Sequence, residues 1–116
     1  IRIVCERTSY TLDTHTAVAY RVAEDYRRET GDMRPMIVLS TASPYKFGAS
    51  VLHALGKDTD GLDEFTLMER LHMQSGMEIP ARLAALREAK VLHDGICERD
   101  GMRTAVLSFA GHKKKQ

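Results

Sequence analysis

The sequence predicts an α/β fold that is mostly helical and carries one buried strand of the parallel type. Three features indicate it. A short apolar run, Met36–Leu39, ends at a small, hydroxyl-rich turn at residues 40–42. Ser43-Pro44 then has the pattern of a helix N-cap and first turn, because proline at the first helical position loses only an N–H that has no partner there. The rest of the chain has mainly helical periodicity.

The first long helix is predicted between a cap at Asp13 or Thr14 and a stop at Gly31. Before it, Ile1–Val4 has the composition of a helix end. The apolar stripe of the long helix consists of Val18, Val22 and Tyr26. Such a stripe at helical spacing indicates a face that packs against another element.

The strand is predicted at Met36–Leu39. No polar residue interrupts this run, so we expect both of its faces to be covered, as in a parallel sheet. Val91-Leu92 is a weaker extended candidate, and the chain offers no second run of equal quality. Because a strand needs neighbours, we expect the chain, which starts at Ile1, to be part of a larger protein with an open sheet. The alternative is a self-contained helical domain in which the run pairs with Val91-Leu92 or with another copy.

Four further helices are predicted after the strand. The second helix of the chain follows Ser43-Pro44 and ends at Gly56, and a polar turn at 57–61 leads to a third that ends at Gly76. Pro80 begins a short fourth helix. Their expected apolar positions are Phe47, Val51, Leu52, Leu55, Leu62, Phe65, Met68, Leu71, Leu83, Ala84 and Leu86. A last helix with Met102, Ala105, Val106 and Phe109 precedes Gly111.

Composition excludes several classes of function. The net charge of +1 gives no electrostatic basis for binding nucleic acid or membranes, and the Lys113–Lys115 run is short enough to be solvated chain. No apolar stretch approaches the roughly 20 residues that span a bilayer. Cys5 and Cys97 form no CxxC pair, so we expect two reduced thiols in a cytoplasmic protein. The five histidines lack ligand spacing, and we expect no metal site.

Two motifs resemble a known family. Leu-Asp-Thr-His-Thr-Ala-Val-Ala at 12–19 is similar to the Asp-Pro-His-Thr-Ala stretch of threonine synthases. Ser-Thr-Ala-Ser-Pro-Tyr-Lys-Phe at 40–47 is similar to their Thr-Ala-His-Pro-x-Lys-Phe stretch, which also follows a strand. Ile79-Pro80, His93 and Cys97 match the order and spacing of the C-terminal helical segment of that family. The resemblance covers essentially the whole chain and identifies it as the C-terminal part of a threonine synthase.

The resemblance implies a lyase that uses pyridoxal 5'-phosphate on the tryptophan-synthase-β type of fold. The family converts O-phospho-L-homoserine and water to L-threonine and phosphate by γ-elimination and then β-addition of water. Residues 1–56 would belong to the catalytic domain, and residues 57–116 would form a C-terminal helical segment. The implied partners are the substrate O-phosphohomoserine and the N-terminal remainder of the same enzyme, in the cytoplasm.

The resemblance also assigns candidate site residues. Thr41 matches the family's hydroxyl that hydrogen-bonds the pyridine nitrogen, and a hydroxyl can donate to an unprotonated nitrogen. The other candidates, expected to line the cleft, are Asp13, His15, Ser43 and Lys46. The Schiff-base lysine and the Gly/Ser-rich phosphate-binding loop would lie outside this chain. We therefore expect no catalytic residue in this fragment, and no activity from it alone.

Several alternatives stay open from the residues themselves. Thr14 stands where the family has proline and Ser43 where it has histidine, which affects the expected substrate more than the fold. Ser43 and Lys46 also match the S-x-x-K motif of serine acylating enzymes, although no S-D-N or K-T-G accompanies them. Asp13 could serve only as a helix cap, and Lys46 only as a surface cation. A non-enzymatic helical module that self-associates through its exposed strand is the alternative function.

Overall fold

The structure, a computed structural model, describes residues 1–111, and all regular structure among them is helical. The six α-helices are α1 (Arg2–Thr8), α2 (Thr14–Thr30), α3 (Gly48–Ala54), α4 (Glu64–Ser75), α5 (Ala81–Ala84) and α6 (Met102–Phe109). Short 3₁₀ turns occupy Pro44–Phe47, Ala85–Arg87 and Arg99–Gly101. The predicted lysine tail at 113–115 lies outside the described residues.

Local capping chemistry sets the ends of the two longest helices. Asp13 caps α2, and Gly31 ends it with a left-handed backbone at φ 70°. Asp63 caps α4, and Gly76 ends it in the same way at φ 69°. The predicted start at Asp13 and the predicted ends at Gly31 and Gly76 are confirmed, whereas the cap at Asp63 was not predicted.

The core lies where α3 packs on α4. Its buried side chains are Tyr45, Val51, Leu52, Leu67, Met68 and Leu71. Phe47, Leu55, Leu62 and Phe65 pack around them and are partly buried. Val51, Leu52, Met68 and Leu71 were predicted apolar positions and are buried, whereas Tyr45 and Leu67 were not among the predicted positions.

The predicted buried strand at Met36–Leu39 is wrong. No strand occurs among residues 1–111, and the fold is all-helical in this range rather than α/β. Ile37 is 87% and Leu39 75% exposed, and Val91-Leu92 is likewise exposed and without regular structure. The physical reason is that a strand exists only through hydrogen bonds to a neighbour, and no segment of the described chain supplies one.

Much apolar surface of the described chain is left uncovered. The predicted stripe of α2, Val18, Val22 and Tyr26, forms on one helix face, but no element packs on it. Val22 and Tyr26 of this stripe line an open groove together with residues 36–39. The radius of gyration is 19.8 Å, whereas a compact domain of this length has about 13 Å. One small core therefore holds α3 and α4 together, while apolar side chains of α2 and α6 stay largely exposed.

Candidate functional site

The N-terminus of α2 contains a buried carboxylate. Asp13 is completely buried, and its Oδ1 accepts hydrogen bonds from the backbone N–H groups of His15 at 2.9 Å and Thr16 at 3.2 Å. Its Oδ2 accepts the hydroxyl proton of Thr16. Burial acts to raise the pKa of Asp13, but the bonds from Thr16 and His15 outweigh it and hold that pKa below its usual value. Asp13 is therefore an ionised acceptor at neutral pH.

His15 connects this helix end to the turn before α3. Its ring lies 4.9 Å from the Phe47 ring, centre to centre, and its Nδ1 is 3.6 Å from Asp13 Oδ1. The imidazole itself faces solvent. Thr14, where the family has proline, occupies the first position of α2, so either residue type can begin this helix.

Two side chains, those of Ser43 and Tyr45, fix the 3₁₀ turn at Pro44–Phe47. Ser43 is its N-cap, and Ser43 Oγ accepts a hydrogen bond from Tyr45 N–H at 3.3 Å. Tyr45 is buried in the core, and its hydroxyl donates to the carbonyl of Met77 at 2.6 Å. His72 Nδ1 lies at the same distance from that carbonyl. The predicted Ser43-Pro44 helix start is confirmed, and Tyr45 holds it against the core.

The hydroxyl groups before this turn differ in their contacts. Ser40 Oγ lies 3.5 Å from Thr16 Oγ1, which joins the turn to the start of α2. Thr41 is exposed, and its hydroxyl has no hydrogen-bond partner among residues 1–111. Of the hydroxyls of Ser40, Thr41 and Ser43, that of Thr41 is thus the one left unengaged by the described chain.

Lys46 supplies a positive charge beside the turn. Its Nζ lies 5.8 Å from the centre of the Phe47 ring, and it forms no ion pair with any carboxylate of the described chain. No hydrogen bond joins it to Ser43 Oγ, which the S-x-x-K mechanism would require. The arrangement leaves Lys46 available to an anion and gives the serine-acylation alternative no support.

The structure therefore brings four of the five candidate residues to one region. Asp13 and His15 lie at the start of α2, and Ser43 and Lys46 lie at the turn before α3. The His15 ring joins the two parts by its contact with Phe47. Thr41 lies in the segment between these two parts. Sequence reasoning gave no role to Thr16 or Tyr45, whose contacts define the region. The signal for Thr16 was present in the Asp-x-x-Thr spacing, which is typical of a helix cap.

Two other kinds of site are absent from the described residues. No group of three or more His, Cys, Asp or Glu side chains lies close enough there to hold a metal ion. None of the helices within residues 1–111 has the length and apolar character needed to cross a membrane.

Comparisons with known proteins agree with the motifs. A family profile described as "Threonine synthase, C-terminal" matches residues 16–94. A threonine synthase of Methylobacillus glycogenes is 37% identical over 100 residues, which cover 84% of this chain and 18% of that protein. The chain thus spans less than a fifth of the length of this curated relative. No solved structure matches the chain.

Proposed function

Because this chain belongs to the threonine synthase family, as its C-terminal part, we propose that it completes one side of the cofactor site in a longer enzyme. That enzyme would use pyridoxal 5'-phosphate to convert O-phospho-L-homoserine and water to L-threonine and phosphate in the cytoplasm. The profile match over residues 16–94 and the similarity to a named threonine synthase support this assignment.

The observation that carries the proposal is the free hydroxyl of Thr41. Ser40 and Ser43 on either side are engaged by Thr16 and Tyr45, whereas Thr41 is exposed and unpartnered among the described residues. A threonine hydroxyl can donate a hydrogen bond to an unprotonated ring nitrogen, which a carboxylate cannot do. Thr41 is therefore suited to contact the pyridine nitrogen of the cofactor, which when bound serves as an electron sink.

The neighbouring groups suit an anionic substrate. Lys46 is a positive charge without a carboxylate partner in the described chain, so it can attract the phosphate of O-phosphohomoserine. Ser43 Oγ accepts the capping N–H of Tyr45 and keeps its own proton to donate. His15 stands at the same edge, with its ring directed to solvent. We propose that these side chains, with the buried Asp13 behind them, line the cleft.

The rest of the enzyme would supply what this chain lacks. In this proposal residues 1–56 belong to the catalytic domain and 57–116 form the C-terminal helical segment, while the N-terminal remainder carries the Schiff-base lysine and the phosphate-binding loop. The uncovered apolar face of α2 supports a large partner surface of this kind. The isolated chain should then be inactive. The alternative of self-association through an exposed strand has no strand to rest on within residues 1–111.

A pair of variants in the full-length enzyme tests the proposal. Thr41→Val keeps the shape of the side chain and removes the hydroxyl, whereas Thr41→Ser keeps the hydroxyl. We expect Thr41→Val to lower kcat about fivefold, because a lost hydrogen bond of about 1 kcal/mol changes a rate by roughly that factor. Thr41→Ser should stay close to the parent enzyme, and both should unfold like the parent.

Thr41→Asp provides a second readout. A carboxylate at this position favours a protonated ring nitrogen, so the absorbance spectrum of the bound cofactor should shift. Unchanged kinetics in Thr41→Val together with an unchanged spectrum in Thr41→Asp would remove Thr41 from the site.

A further inference from the structure

Asp13 is buried more deeply than its capping role requires. Asp63 caps α4 with the same set of bonds: its Oδ1 accepts from Phe65 N–H at 2.9 Å and Thr66 N–H at 3.1 Å, and its Oδ2 accepts from the Thr66 hydroxyl at 2.5 Å. Yet Asp63 is exposed, whereas Asp13 is the one completely buried charged side chain of the described residues. Capping alone therefore does not explain the burial of Asp13.

The difference between the two caps lies in the threonine hydroxyl. Thr16 is itself buried, and Ser40 Oγ lies 3.5 Å from its oxygen, across 24 residues of sequence. Among residues 1–111, no such second contact reaches Thr66, whose hydroxyl bonds there only to Asp63. The contact at Thr16 involves the residue directly before Thr41.

The Thr16 hydroxyl lies between Asp13 and Ser40. A carboxylate only accepts hydrogen bonds, so Thr16 donates to Asp13 Oδ2. The same hydroxyl faces Ser40 Oγ as the donor of a longer and weaker contact, at 3.5 Å. The buried charge of Asp13 is thus linked through Thr16 to the residue directly before Thr41.

We propose that Thr16 is a positioning residue for the cofactor contact: it links the buried Asp13 to Ser40 and so holds the segment that presents the Thr41 hydroxyl. This inference rests on the proposed function, since Thr41 is taken as the residue that meets the ring nitrogen. Thr16 acts through Ser40 and Thr41 and does not touch the substrate.

Three variants of the full-length enzyme test the positioning role. Thr16→Val removes the hydroxyl at constant shape, Thr16→Ser restores it, and Thr66→Val removes the equivalent hydroxyl from the α4 cap. We expect Thr16→Val to lower kcat about twofold to fivefold with little change in KM, and to shift the absorbance of the bound cofactor. Thr16→Ser should recover most of the lost turnover. Thr66→Val should leave kcat, KM and the spectrum at parent values, although it loses the same capping bond.

Equal losses in Thr16→Val and Thr66→Val would overturn the proposal, because they would reduce Thr16 to an ordinary cap. Failure of Thr16→Ser to recover turnover would also overturn it. Ser40→Ala adds a direct test: Thr16→Val combined with Ser40→Ala should lower kcat no further than the more harmful single change, whereas multiplying effects would contradict the link.

The proposed function can fail independently. If the full-length parent releases no phosphate from O-phosphohomoserine, that function is wrong, and the link is then judged in the isolated chain. There the effect of the Thr16→Val, Ser40→Ala double variant on the unfolding equilibrium constant should differ by at least about twofold from the product of the two single effects. Single effects that simply multiply in the double variant would show that Thr16 and Ser40 do not interact.

Discussion

At the scale of single residues, the candidate site depends on a few polar side chains that are held by bonds from distant segments. Asp13 fixes the start of α2, and Tyr45 fixes the turn before α3 through the carbonyl of Met77. Each bond removes freedom from the segment between them, which contains Thr41. A hydroxyl that meets a cofactor benefits from such support, because a contact held in place loses less entropy on binding.

The lowered pKa of Asp13 predicts a pH dependence of stability. Because the folded protein favours the carboxylate, its stabilisation is complete above the ordinary pKa of 3.8 and is lost as the pH falls through the lower folded value. We expect Asp13→Asn to cost less than about 1 kcal/mol near neutral pH, since asparagine also caps helices well. Below about pH 4 its free energy of unfolding should fall less steeply than that of the parent.

Chemical denaturation followed by circular dichroism between pH 7 and pH 2 measures this difference. The pKa values of Asp25, Asp32 and Asp63 are also lowered, by hydrogen bonds from Arg21, Arg34 and Thr66 respectively. These groups titrate in parent and variant alike, so the difference between the two curves isolates Asp13. Parallel curves below pH 4 would contradict the assignment of a stabilising carboxylate.

The buried hydroxyl of Tyr45 should contribute to the stability of the fold. Tyr45→Phe removes a buried hydroxyl that donates to Met77 O at 2.6 Å, so the free energy of unfolding should fall by about 1 kcal/mol. Tyr10→Phe is the matched control, because Tyr10 is 53% exposed and its hydroxyl forms no bond within the described residues. Denaturation of the two variants should separate them, and an equal loss in both would argue against the anchoring role of Tyr45.

At the scale of elements, local chemistry was enough to predict the helices but not the strand. The caps at Asp13 and Ser43 and the stop at Gly31 depend on neighbouring residues, so their pattern is visible in the sequence. An apolar run such as Met36–Leu39 shows only that the segment avoids water. Whether it forms a strand depends on a neighbour, and residues 1–111 provide none.

Contacts between elements were the part of the site that the sequence could not reveal. The Thr16–Ser40 contact spans 24 residues and the Tyr45–Met77 bond spans 32, so both depend on how separate segments are packed. The sequence predicted the helix start at Ser43-Pro44, because the cap and the proline form a local pattern. The contacts of Ser40 and Tyr45 with distant residues became visible only in the structure.

The buried contact between α3 and α4 and the exposed apolar face of α2 should differ in how truncating a side chain affects stability. Leu52 is completely buried between α3 and α4, so Leu52→Ala should lower the free energy of unfolding of the isolated chain by about 2–5 kcal/mol. Val22 on α2 is 63% exposed, so Val22→Ala should change it by no more than about 0.5 kcal/mol. In the full-length enzyme, where we propose that the α2 face is covered, Val22→Ala should become destabilising.

Urea denaturation of both variants, in the isolated chain and in the full-length enzyme, measures these values. A loss at Val22 of the same size as that at Leu52 in the isolated chain would show that α2 already packs against another element there. No added cost of Val22→Ala in the longer protein would contradict the proposed covering of this face.

At the scale of the whole molecule, the chain does not have the proportions of a compact domain. It extends 64 × 35 × 25 Å around a core built from α3, α4 and the turn before α3. It also covers only 18% of the threonine synthase that it resembles. Both facts agree with our proposal that a longer enzyme completes the structure of this segment.

The most direct test of this account measures phosphate and threonine formed from O-phosphohomoserine, with pyridoxal 5'-phosphate present, by two proteins assayed side by side. One is the full-length protein that contains these residues, and the other is the 116-residue chain alone. We expect the full-length protein to release phosphate and threonine in equal amounts, and the isolated chain to release neither. Turnover by the isolated chain, or none by a full-length protein that has bound the cofactor, would contradict the account.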